Sequence, residues 1–327
     1  MHAVRLHAFG PAENLTYEEV PDPVPGPGQV RIAVGAAGVH LLDTALREGE
    51  ADQLPFALPN LPLTVGREVA GVVDAVGAGV EESWLGRRVA AHLGFANAGY
   101  AEFAVREADA LHPLPDGVAF DTAVAMVGTG RTALAILHLA ELTADDVVLV
   151  TAAAGGVGTL LVQAARNTGA TVVGAAGGAE KVERVRALGA DVAVDYDDPE
   201  WPEAVRAALG GREVTVALDG VGGRAGRAAL ELIGFGGRLL LFGWSAGKIT
   251  ELSGQDLYDR LLEVTVALGP RLLKVPGGLR GAQDRAIEEA AAGRLVPAVT
   301  RFPLREAAAA HRALQNRGTI GKVVLIP

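Results

Sequence analysis

At 327 residues, half of them hydrophobic and 43 of them glycine, the chain is long enough for two domains and too apolar to be intrinsically disordered. A formal net charge of −10 without clustered basic residues argues against nucleic acid and anionic membrane surfaces as partners. Cysteine is absent, which excludes disulfides, thiolate metal sites and cysteine nucleophiles. The N-terminus, Met1–Leu6, lacks the apolar core of a signal peptide, so we expect a cytoplasmic protein.

The N-terminal part of the chain, to residue 121, is predicted to be mostly β-structure. Short apolar runs such as Val30–Val34 and Val69–Val73 are typical of strands, and proline and glycine clusters such as Pro21–Gly28 separate them. We therefore expect a mainly-β domain in this region.

From residue 122 onward, strands and helices are predicted to alternate. The longest apolar stretch, Val147–Ala165, contains polar residues and glycines and is predicted to be a buried strand, a turn and a helix rather than a membrane span. The predicted strands are Val147–Ala152, Thr171–Ala175, Val192–Asp195, Val214–Leu218, Arg238–Phe242 and Val264–Leu268. The predicted helices are Thr129–Leu142, Val157–Asn167, Glu180–Leu188, Glu203–Leu209 and Gly223–Ile233. Six unbroken apolar strands with crossover helices are typical of a doubly wound parallel Rossmann sheet in an α/β protein.

After residue 268 the chain is predicted to contain two helices, Ala282–Ala292 and Arg305–Leu314, and two strands, Val299–Phe302 and Val323–Ile326. This segment is too small to fold alone, so we expect it to complete the N-terminal domain. The predicted domains are therefore 1–121 together with 269–327, and 122–268.

A glycine-rich turn, Ala153–Gly158, follows the first predicted Rossmann strand and opens a helix. Alanine replaces the first glycine of the dinucleotide-binding fingerprint. Gly155 allows the backbone to approach a pyrophosphate, and Gly158 allows the helix to pack closely on the sheet. The helix N-terminus, with Gly156 and Val157, offers N–H groups and the positive end of its dipole to phosphates. We therefore predict a nicotinamide dinucleotide site rather than a purely structural turn.

The end of the second strand distinguishes the two nicotinamide cofactors. An NAD site usually carries an acid about 20 residues after the glycines, which holds the ribose 2′-hydroxyl. Gly174–Gly178 contains no acid, and Lys181 and Arg184 follow, which favours the 2′-phosphate of NADP(H). In the alternative interpretation, both cations lie on a solvated helix face and pair with Glu180 and Glu183.

Two later strands end in the pairs Asp219-Gly220 and Phe242-Gly243. Ligands of such sheets bind at the carboxyl ends of the strands, where small residues can admit the ribose and the nicotinamide. Ordinary turn glycines would give the same pattern.

Together these features resemble the zinc-free quinone oxidoreductase branch of the medium-chain dehydrogenase/reductase superfamily, from one end of the chain to the other. The matching motifs are Gly38–Thr44, Gly66–Glu68, Gly99–Glu102, Gly130–Ala133, Ala152–Gly158, Glu180–Lys181, Leu188–Asp191, Asp219–Gly223 and Gly318–Val324. The resemblance implies a GroES-like, mainly-β catalytic domain beside the Rossmann domain, with NADP(H) in the cleft between them.

The resemblance also implies which residues contact the cofactor. They are Thr132, Gly155, Gly156, Val157, Gly158, Gly178, Lys181, Tyr196, Phe242, Gly243 and Arg317. Among them, Lys181 and Tyr196 would contact the 2′-phosphate region, Thr132 would lie near the nicotinamide, and Arg317 would reach the cofactor from near the C-terminus. Gly178 departs from the family pattern, because many relatives carry a phosphate-binding serine there.

Zinc-dependent members of the superfamily bind the metal through cysteine and histidine. The corresponding positions here are His40, Arg67 and, near the third, Val127, and neither arginine nor valine ligates zinc. No HExxH metal motif and no G-x-S-x-G nucleophile motif occurs. We therefore predict that the protein binds no metal and is not a hydrolase.

Without a metal to polarise an alcohol, reduction of an electron-poor acceptor is the expected chemistry. We expect an NADPH-dependent enzyme that transfers hydride to a small-molecule quinone or α,β-unsaturated carbonyl. The candidates to line the substrate site are His40, which replaces the usual asparagine of this branch, Asp43 and Arg47. In the alternative interpretation, Asp43 braces the following helix and Arg47 lies on the surface.

Two other functions stay open at this point. One is a dinucleotide-binding protein with a structural or sensing role and little catalysis. The other is a reductase of a specific carbonyl from secondary metabolism, because His40 is atypical and Gly49–Pro62 has no tyrosine matching the substrate loop of the family.

The last predicted Rossmann strand, within Glu263–Leu268, is apolar and is expected to form the edge of the sheet. An uncovered edge favours pairing with a second chain. We therefore predict a homodimer with a continuous sheet.

Overall fold

A computed structural model describes residues 1–51, 57–94 and 98–327. These residues form two compact units, of which the mainly-β unit comprises Met1–Thr129, Gln283–Ala292 and Pro297–Pro327, and the α/β unit comprises Gly130–Ala282 and Gly293–Val296. The domain limits predicted from the sequence stay a prediction. The compact units differ from them in three segments, 122–129, 269–282 and 293–296.

The strands, numbered in chain order, are β1 (His2–Leu6), β2 (Leu15–Glu19), β3 (Gln29–Val39), β4 (Leu63–Thr64), β5 (Glu68–Val76), β6 (Arg88–His92), β7 (Phe103–Glu107), β8 (His112–Pro113), β9 (Val147–Val150), β10 (Thr171–Ala176), β11 (Val192–Asp195), β12 (Val214–Asp219), β13 (Ile233–Leu241), β14 (Glu263–Val266), β15 (Val299–Pro303) and β16 (Lys322–Ile326). The α-helices are α1 (Leu41–Glu48), α2 (Phe120–Ala125), α3 (Arg131–Ala140), α4 (Gly156–Asn167), α5 (Ala179–Ala187), α6 (Trp201–Leu209), α7 (Gly223–Glu231), α8 (Gly254–Arg260), α9 (Gly278–Ala291) and α10 (Ala307–Gln315).

The mainly-β unit is built on a seven-stranded sheet of order β15-β16-β3-β5-β6-β8, in which β7 also pairs with β3. A three-stranded sheet, β2-β1-β4, accompanies it. Residues 29–36 of β3 alternate between half-buried and buried positions, as expected when one face of an antiparallel strand packs on a core, and the strand's last residues are all buried. The C-terminal strand β16 pairs with β3 antiparallel, so the last part of the chain contributes a strand to this unit.

The α/β unit contains a six-stranded parallel sheet of order β11-β10-β9-β12-β13-β14. This is the doubly wound order: from β9 the chain first adds strands on one side, β10 and β11, and then returns to add β12, β13 and β14 on the other side. All four residues of β9 are buried, because helices cover both faces of the sheet. The predicted Rossmann fold and the predicted edge position of the last strand are confirmed.

Two details of this unit differ from the sequence-based expectation. Strand β13 begins at Ile233, which had been assigned to the preceding helix, and the pairing of β12 with β13 shifts register between Val214 and Val216. Helix α8 was not predicted, because none of its residues is buried and it lacks an apolar stripe.

One helical stretch among the described residues, Phe120–Ala140, is long and apolar enough to span a membrane by length and composition. Within its most apolar window, 67% of the residues are buried inside the protein, as in a core helix. Val147–Ala165 folds into β9, a turn and most of α4, as predicted.

Candidate functional site

The glycine turn connects β9 to α4 in the predicted strand–turn–helix arrangement. Gly155 is the N-cap of α4, and its N–H donates a hydrogen bond to Ala152 O at 2.8 Å, which closes the turn. Ala152 has a φ of +47°, a left-handed conformation that costs an alanine about 1–2 kcal/mol. The turn is therefore held in a strained shape at the carboxyl end of the central strand.

Two properties of this turn fit a dinucleotide pyrophosphate. A Cβ on Gly158 would clash with Ala152 O and lie 2.8 Å from Ala153 Cα, so the helix approaches the strand more closely than a side chain permits. Within the described part of the chain, the N–H groups of Gly156, Val157 and Gly158 have no hydrogen-bond acceptor. These donors, together with the positive end of the helix dipole, form a cradle for an anionic group.

The strand end beside the turn is braced by a buried carboxylate. Asp219 is the last residue of β12, has no exposed surface, and accepts hydrogen bonds from Thr151 Oγ1 at 2.7 Å and Thr250 Oγ1 at 2.6 Å. It also accepts the N–H of Val221 at 2.9 Å. Because Thr151 follows β9 and Thr250 lies beyond β13, this one side chain fixes three neighbouring strand ends relative to each other.

Gly220 and Gly243 lie at the carboxyl ends of β12 and β13, as predicted. A Cβ on Gly220 would lie 2.5 Å from the Phe242 ring, and a Cβ on Gly243 would lie 2.8 Å from Gly220 O. Both glycines are therefore required by the close approach of the two strand ends. Contact of Phe242 and Gly243 with a cofactor stays a prediction.

The carboxyl end of β10 is where the ribose 2′ group of a dinucleotide is recognised in this fold. Gly178 has a φ of +87°, so the serine of many relatives would be strained here, and its N–H donates to Asp195 Oδ1 at 3.0 Å. The same oxygen accepts the N–H of Asp197 at 3.0 Å. Asp197 Oδ2 lies 2.6 Å from the position that a Cβ on Gly177 would occupy. The strand end has no acid of its own, as predicted, but carboxylates at the end of β11 reach it.

The other predicted cofactor residues are distributed over both units. Lys181 is the third residue of α5, in the turn after Gly178, and Tyr196 directly follows β11, so both lie at the end of the sheet that carries Gly178. Thr132 is the second residue of α3 in the same unit. Arg317 belongs to the mainly-β unit, where it follows α10 with a φ of +55°. Their contacts with NADP(H) stay predictions.

The mainly-β unit contains a buried ion cluster, formed by His40, Glu68 and Lys322, which we name the Glu68 cluster. Glu68 has no exposed surface; its Oε1 lies 2.9 Å from His40 Nε2 and its Oε2 lies 3.0 Å from Lys322 Nζ. A Cβ on Gly128 would overlap the carboxylate, so a glycine makes room for it. Burial raises the pKa of the Glu68 carboxyl, but His40 and Lys322 outweigh burial and hold that pKa well below its ordinary value.

A second buried network adjoins His40. Asp43 accepts the N–H of His40 at 2.8 Å and the Tyr100 hydroxyl at 3.1 Å, and His311 Nε2 lies 3.2 Å from that hydroxyl. Burial raises the pKa of Asp43, but the hydrogen bond and charge of His40 outweigh it and lower that pKa. Burial lowers the pKa of His311 from 6.5 to about 4. Burial, reinforced by Asp43, raises the pKa of Tyr100 well above its ordinary value.

Of the three predicted substrate-site residues, only His40 has an appreciably exposed side chain, at 22%. Asp43 is 2% exposed and Arg47 is fully buried, where it contacts Glu48 and donates to Gln315 Oε1 at 3.1 Å. Asp43 and Arg47 therefore do not line an accessible site in this structure, and the alternative of a surface Arg47 is also wrong. The bracing of α1 by Asp43 is confirmed by its bond to the His40 N–H.

No group of three or more histidine, aspartate or glutamate side chains among the described residues could hold a metal ion. At the positions that correspond to zinc ligands in relatives, Arg67 Nε lies 3.7 Å from Asp43 Oδ1 and Val127 is buried. These side chains do not fit a zinc ion, since neither offers a ligand atom for it.

Sequence reasoning assigned no role to several of these residues. Tyr100 and Lys322 lie in the matching motifs without an assigned function, and His311 lies in the predicted last helix, Arg305–Leu314. The sequence pattern does not indicate Asp195 and Asp197, because they lie at the end of β11 and not at the end of β10. The doubly wound order, which places β11 beside β10, was the signal that could have found them.

Two family models match the chain. The model described as "Alcohol dehydrogenase GroES-like domain" matches residues 26–116, within the mainly-β unit. The model described as "Zinc-binding dehydrogenase" matches residues 156–275, within the α/β unit. Each compact unit is thus similar to a known domain family.

Known proteins are similar to the chain over its full length. A 2-haloacrylate reductase from Burkholderia sp is 34% identical over 99% of this chain and 98% of the relative. The structure of Escherichia coli quinone oxidoreductase complexed with NADPH is 30% identical, with a TM-score of 0.86 and coverage of 100% of both chains. The structure of an NAD-dependent alcohol dehydrogenase is 31% identical, with a TM-score of 0.88 and the same coverage.

Proposed function

This chain belongs to the quinone oxidoreductase branch of the medium-chain dehydrogenase/reductase superfamily, and we propose that it is a zinc-independent, NADPH-dependent reductase of quinones or α,β-unsaturated carbonyls. The observation that carries the proposal is the cradle at Gly155–Gly158, where unpartnered N–H groups and a glycine that tolerates no side chain fit a pyrophosphate.

The chain's own residues bind and orient the cofactor in this proposal. The first turn of α4 holds the pyrophosphate, and the hydrogen bonds of Thr151 and Thr250 to Asp219 keep the surrounding strand ends fixed. Lys181, in the first turn of α5, faces the 2′-phosphate region. When bound, NADPH supplies the hydride, and the protein supplies orientation and an environment of fixed dipoles.

Zinc independence is supported by the donor set. The positions of zinc ligands in relatives are occupied by His40, Arg67 and Val127, of which only one offers a ligand atom. A quinone or an enone is already electron-poor, so its reduction does not require a Lewis acid to activate it.

We assign the substrate contact in the mainly-β unit to His40. Its side chain is 22% exposed, and its Nε2 lies 2.9 Å from Oε1 of the buried Glu68 carboxylate. Its Nδ1 is buried 3.4 Å from Asp43 Oδ2, so Nε2 is the ring nitrogen that can orient a carbonyl oxygen or exchange a proton with a substrate. Asparagine, the usual family residue at this place, can orient but cannot supply a proton.

The experiment is to measure NADPH oxidation by the purified protein with a panel of quinones, enones and haloacrylates, with and without a metal chelator. Turnover that the chelator does not change is the expected result. Loss of activity on chelation would overturn zinc independence. Tight NADPH binding without turnover of any acceptor would favour the alternative of a nucleotide-binding protein with a structural or sensing role.

A reductase of one specific carbonyl compound is the second candidate, favoured by His40 in place of asparagine. Residues 52–56 of Gly49–Pro62, the segment without a matching substrate-loop tyrosine, lie outside the described residues. Activity confined to one structural class of carbonyl, with quinones inert, would favour this candidate.

We also propose that the protein is a homodimer that pairs through β14. This strand forms the edge of the six-stranded sheet, and Val266 is 51% exposed there. Sedimentation should give a dimer at micromolar concentration and a monomer for Val266→Lys. Val296→Lys is the matched control, because Val296 is 57% exposed elsewhere in the same unit. A monomeric wild-type chain would refute the proposal.

A further inference from the structure

The adenosine-ribose end of the proposed cofactor site combines features of two cofactor classes. We propose that Asp197 sets the cofactor selectivity of this chain, so that it binds NADH as well as NADPH. This inference rests on the proposed function, because it concerns the same dinucleotide site. It goes further because it names Asp197 as the residue that limits discrimination between NADPH and NADH, and NADH as a second cofactor.

The position of the Asp197 carboxylate carries the inference. In NAD-binding proteins of this fold, an acid at the end of the second strand accepts the ribose 2′-hydroxyl. Here that end is Ala176-Gly177-Gly178, and Asp197 Oδ2 lies 2.6 Å from the place where a Cβ on Gly177 would stand. The carboxylate therefore occupies the space of a missing acidic side chain, although it comes from the end of the neighbouring strand.

Asp195 holds Asp197 in this place. Its Oδ1 accepts the N–H of Gly178 and the N–H of Asp197, each at 3.0 Å, and so ties the turn after β11 to the turn after β10. The Gly178 N–H is consequently directed to a carboxylate. Gly178 also provides no hydroxyl, and its φ of +87° excludes an unstrained serine.

The electrostatic consequences for the two cofactors are opposite. A 2′-phosphate beside Gly177 would meet the Asp197 carboxylate, and repulsion between such solvent-exposed charges weakens binding by about three- to tenfold. A 2′-hydroxyl in the same place can donate a hydrogen bond to that carboxylate, which strengthens binding of NADH. Lys181, in the first turn of α5, favours the 2′-phosphate. In this proposal NADPH therefore binds through Lys181 and NADH through Asp197.

Overall likeness to solved structures does not decide between the cofactors. The NADPH complex and the NAD-dependent protein are similar to this chain to nearly the same degree, with identities of 30% and 31%. The selectivity therefore has to be inferred from the side chains at the ribose end.

The test is calorimetric titration of the full-length protein with NADPH and NADH, and with 2′,5′-ADP and 5′-AMP, which differ only in the 2′-phosphate. For the wild type, we expect Kd values for NADPH and NADH within about tenfold of each other. In Asp197→Asn, NADPH and 2′,5′-ADP should bind about three- to tenfold more tightly and NADH about two- to fivefold more weakly. The gain for NADPH should shrink at high salt, because added ions screen exposed charges.

Glu203→Gln is the matched control. Its carboxylate lies on α6, is 66% exposed, and is removed with the same change in net charge. It should leave both Kd values unchanged. The fold is expected to tolerate Asp197→Asn, since the backbone N–H of Asp197, not its side chain, bonds to Asp195.

The outcomes separate this inference from the proposed function. Binding of NADPH with an NADPH:NADH ratio that Asp197→Asn does not change would overturn the inference and leave the proposed cofactor standing. An equal effect of Glu203→Gln would also overturn it, because net charge would then explain the result. If neither dinucleotide bound, the proposed function would fall together with the inference.

Discussion

The turn at the start of α4 and the Glu68 cluster are both crowded, but by different kinds of atoms. In the turn, main-chain atoms of Ala152 and Ala153 leave no room for a side chain on Gly158. In the cluster, side chains from separate segments of the chain place a histidine and a lysine against one buried carboxylate. The turn is therefore sensitive to added atoms, whereas the cluster is sensitive to the loss of a charge.

The two regions also differ in what they leave unsatisfied. Among the described residues, the first N–H groups of α4 have no protein acceptor, which suits the turn to binding an anion. In the cluster, one oxygen of the Glu68 carboxylate faces His40 and the other faces Lys322, and of these three side chains His40 alone is appreciably exposed. The turn is therefore suited to holding an anion, whereas the cluster ties separate segments of the mainly-β unit together.

The largest expected loss of stability follows from removing the carboxylate of the Glu68 cluster. Glu68→Ala leaves Lys322, which is 4% exposed, as a buried cation without its carboxylate. Breaking a buried ion pair on one side should lower the free energy of unfolding by about 3–5 kcal/mol. Urea-induced unfolding measures this change.

Glu203→Ala provides the control, because it removes an exposed carboxylate that pairs with Arg206 and should change the free energy of unfolding by less than about 1 kcal/mol. If the two variants lost equal stability, the claim that the Glu68 cluster stabilises the mainly-β unit would be wrong.

The next effect concerns pH. The pKa of His311 is about 4 in the folded protein and 6.5 when unperturbed, so between these values the unfolded chain binds a proton that the folded chain does not. Stability should therefore fall as the pH drops from 6.5 to 4, by on the order of 3 kcal/mol from this group. From pH 4.5 for Glu68 and pH 3.8 for Asp43 downward, protonation of these carboxylates, whose pKa values are lowered on folding, adds to the loss.

The pH dependence of urea unfolding for His311→Gln tests this assignment. Its stability should vary less than that of the wild type over the same pH interval, because the variant has no titrating ring. His138→Gln is the control, since His138 is exposed on α3. An unchanged pH profile in His311→Gln would show that another group is responsible.

The difference between the two regions also explains how much the sequence could predict. Strands β9 to β12 are unbroken apolar runs, so local pattern was sufficient to place them and to locate the turn after β9. The limits of β13 were missed because Ile233–Gly237 contains three glycines and resembles a turn. Local chemistry thus identified the Rossmann sheet and the cradle.

The remainder of the candidate site depends on contacts between distant segments. His40, Glu68 and Lys322 meet only because β3, β5 and β16 lie side by side in one sheet, and no local pattern specifies that arrangement. Asp197 reaches Gly177 only because β11 pairs with β10. Burial of Arg47 likewise follows from the packing of α1 near α10, which its own sequence neighbourhood does not reveal.

The third prediction separates the two glycines of the turn. Gly158→Ala should lower the free energy of unfolding by about 1–3 kcal/mol, because main-chain atoms of Ala152 and Ala153 must move to admit the Cβ. Gly155→Ala should be nearly neutral for stability, since its Cβ would meet only Ala152 O, at 3.2 Å. It should nevertheless weaken NADPH binding, because the added methyl group obstructs the close approach of the pyrophosphate. Thermal unfolding and NADPH titration of both variants measure the two effects, and equal losses of stability would contradict the distinction.

The smallest effect isolates backbone conformation from crowding. A Cβ on Gly178 would meet nothing within 4 Å, yet its φ of +87° disfavours any L-residue, so Gly178→Ala should lower the free energy of unfolding by about 1 kcal/mol. Gly254→Ala is the matched control, because this glycine also has open space around it but starts α8 without a positive φ. Alanine there should be neutral or stabilising. Thermal unfolding of both variants gives the difference between them. A tolerated Gly178→Ala would mean that the turn after β10 can relax and that its positive φ does not require a glycine.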